Sequence, residues 1–400
     1  MNIKEITKAL ERYPRKVLDS AKPAFEKGKP LGFMRSFFEA FESFLYSPKS
    51  TTSHGTHIRD ANDMKRTMIL VMIALIPCML FGMWNIGFQR LPRLDELGEI
   101  IPRSILNNWG YGFLRMLPSI LVTYIVGVAI ECGFAQWRGE EVNEGFFVTG
   151  MLIPLILPIG TPLWMTALAV AFSVVIGKEI FGGTGMNIFN PALLARLFIF
   201  FAYTPFISGE TVWYADAHSG ATALSQLADT GATGYSLWDA FIGTIPGSVG
   251  ETSKICILLG AILLLWTGVA SWRTMTAVFA GGLLMGLIFN LCAPAVPESA
   301  REIYMALPAW QHLLFGGFAF GAVFMATDPV TSAQTNAGKW IYGIMIGMLA
   351  ILVRVMNPGY PEGMMLAIIL MNGVAPLIDH LVVGASIRRR CSRKVKTAKL

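Results

Sequence analysis

The sequence predicts an all-α polytopic membrane protein of about ten transmembrane helices, arranged as two inverted five-helix repeats with some helices short or broken. Three observations predict it. Of 400 residues, 54% are hydrophobic and only 14% are charged, against about 25% charged in a soluble chain; the mean hydropathy is +0.54. Basic residues gather at the two ends, as topology signals do. A short pattern recurs five spans apart: Phe147-Val148-Thr149, Trp164 and Asn190-Pro191-Ala192 answer to Phe324-Met325-Ala326-Thr327, Trp340 and Asn357-Pro358-Gly359. An odd offset inverts the second copy, as in transporters with sites at the membrane midplane.

Residues 1–65 read as a basic, extramembrane amino-terminal arm. Apolar residues at helical spacing in Ile6–Leu18 and Leu31–Tyr46, including Phe37 and Phe38, predict amphipathic helices lying on lipid or on a partner. The first 60 residues are polar and charged, so no cleaved leader is expected.

A bilayer core of about 30 Å needs about 20 apolar residues per helix. Ten stretches qualify as candidates: Thr67–Phe88, Phe113–Phe134, Phe146–Pro158, Leu163–Phe181, Ala192–Pro205, Ile255–Val269, Thr274–Leu291, His312–Ala326, Trp340–Met356 and Gly363–Val383. The third, fifth and eighth are short, which fits broken or tilted helices. The predicted organisation is a first repeat over 66–205, a polar loop over 206–254, a second repeat over 255–385 and a basic tail over 386–400. The basic arm and tail place both termini in the cytoplasm, and an even number of spans agrees. The segment 206–253 lacks Lys and Arg and is expected on the periplasmic side of a bacterial inner membrane.

The five cysteines, Cys78, Cys132, Cys256, Cys292 and Cys391, form no CxxC pair, so neither a disulfide framework nor a metal site is expected. No nucleotide fold is expected either. Gly182-Gly183-Thr184-Gly185 has the wrong spacing for a dinucleotide fingerprint, and Gly338-Lys339 lacks the rest of a phosphate loop. The basic charge is terminal rather than patched, which argues against nucleic acid.

Four acids fall within or at the ends of predicted spans: Glu131, Glu179, Asp328 and Asp379. A lone carboxylate at the bilayer centre costs roughly 2.5–3.5 kcal/mol on insertion scales. Each therefore lines an ion path or sits at a helix end reaching for water. Arg196 and Arg354 are buried cations that need an acid or carbonyl partner. The cluster Gly182, Gly183, Gly185, Asn187 and Asn190 either receives a polar ligand at a broken helix or makes a plain turn. Asp216-Ala217-His218-Ser219-Gly220-Ala221-Thr222-Ala223-Leu224, in the outside loop, is either a turn or an attachment point for an exposed hydroxyl.

These residues carry a resemblance. Asp216–Leu224, Val142–Phe147, Lys178–Gly185, Asn190–Leu193, Phe324–Pro329 and Tyr360–Met364 together resemble the B subunits of sodium-translocating NADH:quinone oxidoreductases, over about residues 60–385. The resemblance implies FMN joined through its phosphate to Thr222, within the motif Asp216, Ser219, Gly220, Ala221, by a periplasmic flavin transferase. Ala223 departs from the family's usual Ser or Thr. It implies riboflavin, for which Gly182, Gly183, Gly185, Asn187 and Asn190 are the candidate contacts. It implies ubiquinone as substrate near the cytoplasmic face, with Gly127, Phe37 and Phe38 as candidates, and Na+ as the transported ion, with Glu131, Asp328, Asp379 and Glu179 as candidates. NADH, FAD, iron–sulfur centres and a second covalent FMN would belong to partner subunits. The D subunit of the ferredoxin:NAD oxidoreductase complex is the nearest alternative; the long basic arm favours the quinone enzyme. A solute channel or transporter with inverted repeats is the alternative of another class.

Overall fold

All ten apolar stretches fall on helical backbone, but they divide sharply by length. The computed structural model describes residues 18–25, 38, 42, 52–56, 58, 64–90, 104–138, 145–204, 213–215, 218–220, 222–230, 234–295, 303–357 and 363–397. Among these, five helices are long and apolar enough to cross a membrane: α1 (Met64–Gln89), α2 (Ile105–Arg138), α9 (Trp272–Cys292), α10 (Asn336–Met356) and α11 (Met364–Thr397). Three apolar helices, α3 (Gly145–Ile156), α5 (Pro191–Ala202) and α8 (Lys254–Trp266), have only 12, 12 and 13 residues. The fourth stretch is α4 (Leu163–Val174) continued by a π turn, Val175–Glu179. The eighth is broken into Gln311–Leu314, Phe318–Phe320 and a second π turn, Gly321–Met325.

Helix starts follow local chemistry. Asn190 accepts a hydrogen bond from the Ala192 amide (3.0 Å) ahead of Pro191 at the first helical position of α5, and Thr335 caps α10 through the Gly338 amide (3.1 Å). Both follow N-cap preference. The long helices then pack through small residues. A β-carbon on Gly112 would lie 1.8 Å from the Met83 carbonyl oxygen, and one on Gly281 would lie 2.2 Å from that of Ile344. Lipid offers no hydrophobic drive between helices, so such close approach supplies the van der Waals contact.

The two half-spans run in opposite directions. The α3 helix starts beside Lys178 and Asp328 and ends where the Leu155 carbonyl accepts from the Gly250 amide (2.9 Å). The broken segment starts with Gly317 against Glu251 and ends at Asp328, back beside the start of α3. This is the antiparallel relation that inversion requires.

Two parts of the expected organisation differ. Residues 245–253 are not an exposed loop: Ser248, Val249, Glu251, Thr252 and Ser253 are all buried. The backbone can enter the bundle because helices satisfy it. Asn85 and Gln89 of α1 donate to the Ile245 and Thr244 carbonyls at 3.0 and 2.9 Å. The boundary at 385 also has no structural break, since α11 continues to Thr397. Among the described residues one hairpin interrupts the helices: β1 (Trp213–Ala215) pairs antiparallel with β2 (His218–Gly220). Helices α6 (Ala223–Thr230) and α7 (Leu237–Ile242) follow. Ser236 and Asp239 close a capping box at the start of α7, and hydrogen bonds from Ser236 hold the Asp239 carboxyl below its ordinary range. Most of the two predicted arm helices lies outside the described residues. Within the arm, Phe25 stacks on Phe38 at 4.5 Å and Lys22 pairs with Glu42 at 2.8 Å.

Candidate functional site

Two polar sites open at opposite ends of α8. The first contains Thr222. Strand β2 delivers the chain to Thr222, whose carbonyl accepts from the Gln226 amide (2.9 Å), placing it at the start of α6. The Tyr304 hydroxyl donates to the Leu224 carbonyl and seats that helix on the bundle. Thr222 borders a cavity whose far wall is the buried turn 245–254, with Glu251, Thr252 and Lys254 facing it, closed by Gly316.

Cations exceed anions around this cavity. Arg196 of α5 pairs with Glu251 at 2.9 Å, with both side chains buried. Lys254 donates to the backbone carbonyls of Glu251 (2.6 Å) and Gly316 (3.4 Å). Arg354 of α10 donates to the carbonyls of His312 and Phe315. The hydroxyls of Thr252 and Ser248 are buried and, among the described residues, have no hydrogen-bond partner. Buried hydroxyls without partners are uncommon. A lysine, the spare Thr252 hydroxyl and a cationic surround suit an anionic oxygen group beside Thr222.

The second site is a cleft at the other end. It is lined by Gly145 and Thr149 of α3, Lys178 of the first π turn, Thr184, Asn187, Asn190, and Thr327 and Asp328 after the broken segment. Asn190 Nδ2 donates to Asp328 (3.5 Å), which also accepts from the Thr331 hydroxyl (2.9 Å) and the Val330 amide (3.2 Å). Among the described residues, Asp328 belongs to no ion pair. Lys254 lines one site and Leu264 the other, so at 1.5 Å per residue the sites are about 15 Å apart along α8.

The four predicted acids do not form one cluster. Glu131 of α2 accepts from Lys178, and both are buried. Glu179, the next residue, pairs with Arg138 at 2.9 Å. Asp328 lies in the cleft. Asp379 instead accepts from the Gln334 and Thr335 amides at 2.7 and 3.0 Å, and from the Thr335 hydroxyl, at the start of α10. These are the bonds of a cap. Asp379→Ala should therefore destabilise the chain by about 1–2 kcal/mol, read as a lower Tm of the purified protein, with half-saturating Na+ unchanged.

The glycine–asparagine cluster divides as well. Asn187 and Asn190 open on the cleft. Gly182, Gly183 and Gly185 have φ of 115°, 94° and 91° and turn the backbone behind Lys178, with the Gly183 amide donating to the Lys178 carbonyl (3.1 Å). Only glycine adopts that region without strain. Gly127 is buried, and a β-carbon there would lie 1.8 Å from the Phe146 ring, so its smallness accommodates that ring. Phe38 is buried against Phe25; Phe37, Asp216 and Ala221 lie outside the described residues, and Ser219 and Gly220 are described only as backbone of β2.

Sequence reasoning did not foresee Lys178, Glu251 and Lys254 as site residues. A signal existed for the first: Glu131 and Lys178 are opposite charges in separate apolar runs, and such charges pair inside a bundle. For Glu251 and Lys254 there was none, because they sit where a polar loop meets a span.

A family model described as "NQR2, RnfD, RnfE family" matches residues 51–388. Among curated relatives, the B subunit of the Na(+)-translocating NADH-quinone reductase of Stutzerimonas stutzeri (strain A1501) is 45% identical over 405 residues, covering 95% of this chain and 99% of that protein. The protein of the same name from Chromohalobacter salexigens is 46% identical over 400 residues, with 95% and 96% covered. That from Klebsiella pneumoniae subsp. pneumoniae is 45% identical over 411 residues, with 94% and 98% covered.

Proposed function

Because this chain belongs to the NQR2, RnfD and RnfE family, we propose that it is the membrane-embedded B subunit of a sodium-translocating NADH:quinone reductase, with FMN esterified to Thr222. The observation that carries the flavin assignment is the cavity at Thr222, where Lys254 and the unpartnered Thr252 hydroxyl meet. These groups would hold the phosphate of the ester, and Arg196 and Arg354 behind them would keep the field positive. In the cleft, the Asn187 and Asn190 amides and the unpartnered Thr184 hydroxyl offer the donors and acceptors that a second, non-covalent flavin, riboflavin, would need. When bound, a flavin supplies electron transfer at a ring whose charge and proton content change with redox state.

The remaining work falls to this chain's own side chains. Asp328, a carboxylate with oxygen neighbours in the cleft, and Glu131, two segments away, would receive Na+; Arg138–Glu179 and Asp379 hold the surrounding elements. Moving one charge against 100 mV requires about 2.3 kcal/mol, so a charge change near these acids is on the scale needed. The basic ends of the chain support cytoplasmic termini, with residues 206–254 toward the periplasm of a bacterial inner membrane and the flavin transferase. Ubiquinone would be reduced near the cytoplasmic side, close to the Gly127–Phe146 contact. Partner subunits would carry NADH, FAD, iron–sulfur centres and a second covalent FMN. Relatives spanning nearly the whole chain favour this reading over the D subunit of the ferredoxin enzyme and over a solute transporter.

The test is a denaturing gel viewed under ultraviolet light, run on protein made with the transferase present. The wild-type band should fluoresce and the Thr222→Ala band should be dark. A dark wild-type band, or a bright Thr222→Ala band, refutes the flavin assignment.

A further inference from the structure

Lys178 occupies a position between the two acids that the ion path needs. Its Nζ donates to Glu131, and both side chains are only 5% exposed. Lys178 also borders the cleft that receives Asn187, Asn190 and Asp328. The neighbouring acid gives it no second choice: Glu179 is held by Arg138, which bonds its carboxylate (2.9 Å) and also its backbone carbonyl. The backbone beneath Lys178 is a π turn containing Gly177, followed by three positive-φ glycines. Such turns are wider than the α-helix and concentrate at functional sites.

Charge accounting then constrains what Glu131 can do. Paired with Lys178, it is neutralised from within and has no electrostatic reason to take another cation. Adding Na+ beside an ammonium in a buried site would leave a surplus positive charge with little solvent to screen it. Glu131 can accept Na+ only when the ammonium moves away. A lysine is suited to that movement, since it is a compact point charge on a flexible four-carbon stem, and the cleft lies within reach of that stem.

We infer that Lys178 is an internal competitor for the cation site at Glu131, exchanging its ammonium between Glu131 and negative charge placed in the adjoining cleft. This rests on the ion-path reading of Glu131 above. With the cleft neutral, Lys178 stays on Glu131 and excludes Na+. When an occupant of the cleft gains an electron, Lys178 is drawn toward it, and Glu131 is released to bind Na+. Nothing covalent changes; one ammonium changes partner and one Na+ takes its place. The exchange makes cation affinity conditional on charge in the cleft, which is a coupling free energy between two sites.

The test uses the purified whole complex, with Na+ binding read as the rise in Tm produced by NaCl over equal KCl, in oxidised and dithionite-reduced samples. In the wild type, half-saturating Na+ should be on the order of tenfold lower after reduction. Lys178→Gln should give the low, reduced-like value in both states. Lys178→Arg, which keeps the pair and adds donors, should raise the value in the reduced state. The double variant Lys178→Gln with Glu131→Gln removes both buried charges, so it should fold where the single variant does not, and it should show no Na+-specific rise in either state. Unchanged half-saturating Na+ in both Lys178→Gln and Lys178→Arg overturns the proposal. If Glu131→Gln alone keeps the wild-type response, the ion-path reading itself fails.

Discussion

Glu251→Ala should cost about 3–5 kcal/mol of stability, enough to remove most of the folded protein from the membrane. Glu251 is a carboxylate in a segment that looks like a polar loop, yet it is buried and pairs with buried Arg196 at 2.9 Å. Removing it leaves a guanidinium in the bundle interior with Lys254 and Arg354 close by. An uncompensated buried charge is far more costly than the loss of an exposed pair, whose worth is about 0–1 kcal/mol. The same change breaks the charge balance of the Thr222 cavity. Arg196→Met should be comparably damaging, because it strands the carboxylate. The double variant Arg196→Met with Glu251→Leu should recover much of the loss, since it removes both members of the buried pair together. Thermal unfolding of the purified protein and its yield in membranes would measure all three. Equal losses in the single and double variants would show that the pair is not the source of the effect.

Gly347→Ala should be nearly as severe, at about 3 kcal/mol, the upper end of the cost of overpacking. A β-carbon at Gly347 would lie 2.1 Å from the Val278 carbonyl oxygen and 2.5 Å from the Gly282 amide nitrogen. Those are backbone atoms of α9, which cannot rotate aside as a side chain can. Gly343 and Gly347, four residues apart on α10, face Ala277, Val278 and the Gly281–Gly282 pair on α9, the small-xxx-small arrangement that lets membrane helices approach closely. One methyl group therefore separates two helices along their whole contact. Gly384→Ala on α11 is the control, because a β-carbon there meets nothing within 4 Å. A Tm for Gly347→Ala within a degree of the wild type would refute the packing account.

How much of this was legible beforehand depends on the range of the forces involved. Membrane residence, the ten apolar stretches and the shortness of the third and fifth follow from local hydropathy, which a linear reading captures. The cap at Asn190 and the proline after it are equally local. The eighth stretch reads as one short span, but its Gly316–Gly317 pair lies against Arg354 and Glu251, and there the helix breaks. Residues 245–253 read as loop because they are polar. They are buried because Asn85 and the Leu155 carbonyl, both distant in sequence, satisfy their backbone, as Gln89 does for the adjoining Thr244.

The same division runs through the sites. By itself the sequence determined that this is a membrane protein, that Thr222 lies in a motif of small residues outside the apolar runs, and that lone acids in those runs need partners. These are properties of residue type and neighbourhood. Only the tertiary structure decided which partner each charge takes: Lys178 for Glu131, Arg138 for Glu179, Arg196 for Glu251, and two backbone amides for Asp379. Pairing in a low-dielectric interior is set by separations of a few ångströms between segments tens of residues apart, and those separations exist only once the helices have packed.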